Sequence, residues 1–367
     1  MSWAAARRVL AVRLDTLGDV LMTTPALRAV KEGHPRRHLT LLTSSAGAVA
    51  GRLVPEVDEV WSFDAAWLKA GPAHADAARE RDLVDRLRAG RFDAAIVFTV
   101  YSQSPLPAAL LTYLAGIPRR LAHCRENPYR LLTEWVPETE PERGVRHEVT
   151  RQLDLVAAVG LRPSHDLLSL RPCPEDHLAA AAELARLGLA RRWAVVHPGA
   201  TASSRRYPAA GFATVARALV RDHGFDLVFT GSADEAALVE QIRDAADVLT
   251  HSLVGRLSLG ALAAVIARAG LLISNNTGPA HVAAAVGTPV VDLYALTNPQ
   301  HTPWAVPARV LSHPVPCAPC YRSTCPEGHH LCLRGVPPAA VVTAALELLR
   351  PEPREVLPTA AVPLAPP

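Results

Sequence analysis

Two aspartates stand close together in Leu14-Asp15-Thr16-Leu17-Gly18-Asp19, between a short apolar run and a stretch with helical periodicity. A carboxylate at such a junction suits two roles. It caps the helix, where free N–H groups and the helix dipole favour negative charge, or it serves as a general base at the lip of a cleft. A second loop, His197-Pro198-Gly199-Ala200-Thr201-Ala202-Ser203-Ser204-Arg205-Arg206-Tyr207-Pro208, brings small residues, hydroxyls and two arginines to the start of a helix. Hydroxyls, free N–H groups and guanidinium together suit a diphosphate, although a solvated loop before a Pro-started helix reads the same way. A third, Gly231-Ser232-Ala233-Asp234-Glu235, offers an acid to a helix dipole or to a ribose or base. In the fourth, Ser274-Asn275-Asn276-Thr277-Gly278-Pro279-Ala280-His281, Thr277 and Gly278 set a hydroxyl and an unobstructed N–H at a positive helix end. His281 falls in the first turn, where it faces the same ligand space or packs.

These loops must be held by something, and the pattern around them is a βαβ alternation. Strands are expected at 9–14, 39–43, 57–63 and 94–98, with helices at 20–31 and 76–89. The rhythm restarts after Arg171-Pro172-Cys173-Pro174, where two prolines interrupt any helix. Beyond it, strands are expected at 193–197, 225–230, 271–274 and 290–294. Helices are expected at 175–187, 209–222, 233–245, 258–269, 279–286 and 337–349. The fold class is therefore α/β, with two doubly wound parallel sheets facing a central cleft. The boundaries are 1–172 for an acceptor-side domain, 173–349 for a donor domain carrying a Cys-rich segment at 317–332, and 350–367 for a disordered Pro/Ala-rich tail. Ligands in such sheets bind beyond the carboxyl ends of the strands, which is where the four loops fall.

Composition narrows the function. The 367 residues suit about two domains, and 49% apolar residues exclude a disordered chain. With 38 Lys+Arg against 35 Asp+Glu the net charge is only +3, too balanced for a nucleic-acid partner. The first loop has Gly18 but no G-x-G-x-x-G, which argues against a dinucleotide cradle and a nicotinamide oxidoreductase. A signal-peptide order is absent at the first residues and so is a long uncharged apolar run, so a cytoplasmic protein is expected. Arg36, Arg37, Arg119 and Arg120 are either ordinary solvated arginines or one face for peripheral contact with the inner membrane.

Taken together, the loops resemble the heptosyltransferase family, glycosyltransferase family nine. The resemblance rests on R-L-D-T-L-G-D-V-L-M-T-T-P-A-L at 13–27, H-P-G-A-T-A-S-S-R-R-Y-P at 197–208, G-S-A-D-E at 231–235 and N-N-T-G-P-A-H-V-A-A-A-V-G-T-P-V-V at 275–291. It implies the GT-B architecture, two Rossmann-like lobes with the site between them. It also implies transfer of a sugar, heptose or a related one, from an ADP-heptose-like donor to a lipopolysaccharide-core or other surface glycan, with inversion and no metal. By the same resemblance Asp19 is the base and Arg205 stands near the leaving diphosphate, with Thr201, Ser203 and Arg206 in the phosphate-contacting stretch. Glu235 falls near the ribose, and Asn276, Thr277, Gly278 and His281 match the donor-binding D-T-G-x-x-H motif. Asn276 replaces that motif's aspartate and Arg205 replaces a lysine. These two changes motivate the alternative of a non-catalytic nucleotide-sugar or glycan-binding homologue.

Of six cysteines, four form Cys317-x2-Cys320-x4-Cys325-x6-Cys332, with His329 and His330 inside. Metal-ligand spacing of this kind suits a structural zinc, reversibly oxidised or free thiols, or an iron–sulfur cluster. No cofactor is required for transfer in this reading.

Overall fold

The computed structural model describes residues 2–68, 71, 76–189 and 192–349. The expected tail at 350–367 lies outside the described residues.

The first lobe contains β1 (Arg8–Arg13), α1 (Leu17–Glu32), β2 (His38–Thr43), α2 (Ser45–Gly51), β3 (Glu59–Ser62) and α3 (Ala77–Ala89). It continues through β4 (Ala94–Val97), α4 (Leu106–Leu114), β5 (Arg120–Cys124), β6 (Glu134–Pro137) and α5 (Glu148–Ala157). After α6 (Pro174–Leu187), the second lobe runs β7 (Trp193–His197), α7 (Ala209–Arg221), β8 (Asp226–Phe229), α8 (Ala236–Ala246) and β9 (His251–Ser252). It closes with α9 (Leu259–Ile266), β10 (Leu272–Asn275), α10 (Gly278–Val286), β11 (Val290–Leu293), β12 (Ala308–Leu311), α11 (Leu331–Arg334) and α12 (Pro338–Leu348).

Strand order is β3-β2-β1-β4-β5-β6 in one sheet and β12-β11-β10-β7-β8-β9 in the other. Every neighbouring pair is parallel. Chain direction across the sheet reverses between β1 and β4, and again between β7 and β10. A doubly wound sheet opens its crevice at such switch points. The loops after Arg13, His197 and Asn275 therefore start at these crevices because of strand order alone.

The expected central strands form because their apolar runs are buried on both faces. Apolar patterning does not register β5, β6, β9 and β12. The last three are short strands at or beside a sheet edge, and β5 carries Arg120 and His123 inward. Arg37 and Arg120 correct the expectation of a basic solvent or membrane face, since both are buried. Arg37 donates to the carbonyls of Ala6, Val30 and Trp3, and Arg120 to those of Leu131 and Arg130. Both guanidinium groups are thereby engaged by backbone oxygens rather than by solvent or lipid.

Helix α1 begins at Leu17, earlier than apolar spacing suggests, because Thr16 and Asp19 form a capping box. Pro25 inside this helix takes the bond that would reach the Leu21 carbonyl. The Thr24 hydroxyl supplies a replacement at 2.7 Å. One apolar core includes Val20, Leu21 and Leu27 of α1 and also Ala280, Val282 and Ala283 of α10. The two lobes thus share packing at the N-terminal ends of the two helices that carry the first and fourth loops.

Candidate active site

Arg13 ends β1 and is completely buried among carboxylates. It pairs with Asp15 at 3.0 Å, Asp19 at 3.2 Å and Glu148 of α5 at 2.9 Å. Burial alone lowers its pKa, but Asp15, Glu148 and Asp19 reverse this and raise it above the ordinary arginine value. The two aspartates then diverge. Burial pushes Asp15 up to about 6, against the pull of Arg13 and a 2.7 Å bond from Gln103. Burial also raises Asp19, but Arg13, His301 and two bonds from Thr16 outweigh it and bring its pKa down to about 2. Asp19 is therefore the third helical residue of a capping box, with its ionised carboxylate fixed beside Arg13. Asp15 precedes the cap and is held by Arg13 and Gln103 instead.

Across the cleft, His281 is buried in the first turn of α10 with no partner for Nδ1. Its ring packs on Gly18, where a Cβ would come within 2.7 Å of Cδ2. Burial first, then His301, brings its pKa down to about 3, so the ring is neutral. Thr277 caps α10 in extended conformation, its hydroxyl turned back to the Asn275 carbonyl at 3.3 Å. Gly278 and the following turn leave N–H groups at the helix's positive end. Asn276 is buried, and Ala295 N–H donates to its Oδ1 at 3.3 Å. Its amide is thus engaged by the chain leaving β11, which a hydrogen-bond acceptor of either charge would satisfy.

The second loop is pinned by Asn275. Its Nδ2 donates to the Pro198 carbonyl at 2.7 Å, and Tyr207 N–H donates to its Oδ1 at 3.0 Å. Arg205 is half-buried, and its Nη2 donates to Asn298 Oδ1 at 3.0 Å. Thr201 and Ser203 are exposed. Arg206 is exposed too, and its Nε donates to the loop's own Ala200 carbonyl at 2.8 Å. Glu235 closes a capping box with Ser232, lies 3.8 Å from His197 Nε2 and packs its carboxylate directly on Gly199. The structure therefore gathers Asp19, Thr277, Gly278, His281 and Arg205 around the cleft, with Glu235 on the flank near His197.

Several site neighbours escape a motif reading. Glu148 completes the Arg13 pairing from a distant helix. His301 is half-buried, with its Nε2 enclosed and unpartnered, and the charges of Asp19, Glu148 and Arg205 all act on its ring. Asp292 of β11 is fully buried and neither of its oxygens has a partner. Burial raises its pKa well above the carboxylate range, and Arg205 pulls the other way. A charge inside an apolar strand was the available signal for Arg13 and Asp292, because such residues are rarely buried without a purpose.

The Cys-rich segment departs from the zinc expectation. All six cysteines are free thiols. Among the described residues no three His, Cys, Asp or Glu side chains are grouped to hold a metal ion. Cys332 packs against the apolar core of the second lobe beside Leu333.

Two parallel-sheet lobes with facing helix N-termini define the GT-B fold. The model of glycosyltransferase family 9 (heptosyltransferase) matches residues 80–331, and the chain belongs to that family. It is similar to lipopolysaccharide heptosyltransferase 2 of Escherichia coli K12, 26% identical over 94% of this chain and 99% of that protein. Lipooligosaccharide heptosyltransferase 2 of Campylobacter jejuni is 30% identical over 42% of this chain and 50% of its own length. Among solved structures, E. coli heptosyltransferase WaaC with ADP-2-deoxy-2-fluoro heptose shares the fold. It has a TM-score of 0.65 and 22% identity over 93% of this chain and 99% of that one.

Proposed function

We propose that this glycosyltransferase moves heptose or a related sugar from a nucleotide diphosphate sugar, ADP-heptose-like, to a lipopolysaccharide-core or similar surface glycan. The observation that carries the reading is the apposition of Asp19 on α1 with His281 and the start of α10. In this reading Asp19 is the proton acceptor and the N–H groups opening α10 are the anion site, and the contact between Gly18 and His281 that brings the two helix starts together supports it. The named activities of the E. coli and C. jejuni relatives support the sugar and acceptor class. The ligand in the WaaC structure supports the donor.

In this reading the acceptor hydroxyl attacks the anomeric carbon from the face opposite the diphosphate, and the configuration inverts. Asp19 takes the hydroxyl proton. The charge on the departing diphosphate is met by Arg205 and the N–H groups opening α10 after the Thr277 cap, with Thr201, Ser203 and Arg206 along the Arg205 loop. These fixed donors replace a divalent cation, so transfer needs no metal. Glu235 receives the ribose, and Asn276 holds the motif's backbone. Asp19's low pKa keeps it ionised throughout the neutral range. A weak base of this kind is effective when proton transfer accompanies bond formation and the hydroxyl is already becoming acidic.

We place the domain boundary at residues 172 and 173 and the enzyme at the cytoplasmic face of the inner membrane. Among the described residues no helix is long and apolar enough to cross a membrane. The exposed Leu110, Tyr113 and Leu114 of α4 support peripheral contact. The test is a thermal-shift screen of nucleoside diphosphates followed by transfer from the best-binding nucleotide sugar to heptose-deficient core glycolipid. A ligand selective for the native state raises the melting temperature. No stabilisation by ADP, or no sugar transfer from any ADP-sugar, would end the proposal.

A further inference from the structure

The Cys-rich segment sits directly behind the loop that carries Arg205. One cavity is lined by Cys317, Cys320, Cys325, Cys332, His329 and Ser204. Ser204 N–H donates to the Ser323 carbonyl at 3.1 Å, and its hydroxyl donates to the Arg322 carbonyl at 2.8 Å. On the other side, Cys320 N–H donates to the Leu296 carbonyl at 3.3 Å and Tyr321 N–H to the Thr297 carbonyl at 3.0 Å. The next residue along each tethered stretch is the one that matters. Arg205 follows Ser204, Asn298 follows Thr297, and the two side chains meet at 3.0 Å. The segment thus ties together the two stretches whose tips form the Arg205–Asn298 contact. Tyr321 also meets Tyr101 of the first lobe edge to face, with ring centres 6.1 Å apart.

We propose that residues 317–332 are a positioning strap for Arg205, and that the thiol cavity is a modification site at which a disulfide-type oxidant loosens the strap and weakens diphosphate binding. This rests on the donor-side reading above. Arg205 and Asn298 hold each other only while both backbones keep their distance. The bonds that set that distance come from Cys320, Tyr321, Arg322 and Ser323, all inside the segment.

The cavity is built for thiol exchange. Leu331 N–H donates to His329 Nδ1 at 3.0 Å, so in the neutral ring the proton lies on Nε2, which stands 3.9 Å from Cys317 Sγ. The ring therefore directs an N–H at that sulfur. The Cys317 thiolate attacks one sulfur of glutathione disulfide and expels a glutathione thiolate, leaving a mixed disulfide. The Cys320 thiolate then attacks the Cys317 sulfur and expels the second glutathione. The cysteine pair loses two electrons and two protons. The oxidant gains both, and two glutathione thiols leave. Closing a Cys317–Cys320 bond turns both residues toward each other and moves the Cys320 N–H that holds Leu296.

The experiment uses the full-length protein, reduced or equilibrated with glutathione disulfide, with the modified sulfurs mapped by mass spectrometry. Equilibrium binding of ADP, donor KM, acceptor KM and Tm are read in each state. Oxidation should weaken ADP binding and raise donor KM about fivefold or more, with acceptor KM and Tm little changed and reversal by dithiothreitol. Cys317→Ser should keep the reduced-state values and lose the response. Ser204→Ala should raise donor KM in the reduced state. Full modification of Cys317 and Cys320 with ADP binding and donor KM within twofold of the reduced protein would overturn the strap. So would no reaction at these cysteines, or a parallel loss of Tm and acceptor KM, which marks general unfolding. ADP binding keeps this test separate from the sugar assignment. If ADP binds and responds to oxidation but no sugar is transferred, the strap stands and the proposed reaction falls.

Discussion

Gly18 and His281 face each other across the cleft with no room for a methyl group between them. A Cβ on Gly18 would lie 2.7 Å from the imidazole Cδ2. Both residues sit in the first turn of a helix, one from each lobe, so this contact sets how closely the two lobes approach each other.

Gly18→Ala should therefore separate the lobes slightly at the reacting centre. Each lobe's fold is untouched, so Tm should move little. The value of kcat/KM should fall roughly tenfold or more, since small misplacements are costly in a preorganised site. Steady-state kinetics beside a melting curve decides the matter, and parental kinetics in a folded variant would show that the contact is incidental.

Asp19→Ala tests the base. Turnover should drop by about 100-fold or more, with donor binding nearly unchanged. Asp15→Asn is the informative neighbour. Asp15 is held by Arg13 and Gln103 rather than by the capping box, so its loss should cost less turnover than that of Asp19. The opposite ranking in kcat would move the base assignment to Asp15.

Arg205→Ala should act on the donor side. Donor KM should rise and turnover fall, while acceptor KM stays close to parental. Asn298→Ala should give a weaker version of the same effect, because it removes only the partner that orients the guanidinium. Isothermal titration with ADP checks the ordering, and Asn298→Ala being the more damaging change would contradict it.

Arg13→Met tests the buried charge network. The substitution leaves Asp15, Asp19 and Glu148 without their common cation. Breaking a buried ion pair from one side costs roughly 3–5 kcal/mol. Chemical denaturation should show a loss of this size at pH 7. The loss should shrink at lower pH as Asp15, already raised to about 6 in the parent, takes up a proton. A loss that is constant with pH would disconnect Arg13 from these carboxylates.

Acid stability should be governed by histidines before carboxylates. Burial lowers the pKa of His281 to about 3 and that of His123 to about 4, and it depresses His197, His147 and His301 as well. For a group whose folded pKa lies below its unfolded value, the unfolded chain binds the proton first. Stability is then complete above the unfolded value near 6.5 and declines as pH falls toward the folded one. Each such histidine costs up to about 1.4 kcal/mol per pH unit in that window. Tm should begin to fall below about pH 6.5, and a Tm that is flat down to pH 4 would refute the burial of these rings.

The amino-acid sequence by itself determined the local chemistry. Thr16 and Asp19 are three residues apart, as a capping box requires, and Gly278-Pro279 can open a helix wherever it is placed. The central strands are legible because both faces of each are buried, so their residues are apolar without alternation. Strand order then put the loops after Arg13, His197 and Asn275 at the two crevices. Tertiary structure alone decided the rest. Nothing near Arg13 in the chain announces Glu148, and nothing near Ser204 announces Arg322 and Ser323. His281 reads equally well as a packed ring or a ligand until Gly18 is seen beneath it. Hydrogen-bonding and apolar preferences act over a few residues and leave a periodic trace. A charge pair or a cross-lobe contact depends on which surfaces meet after folding, and that trace does not record it.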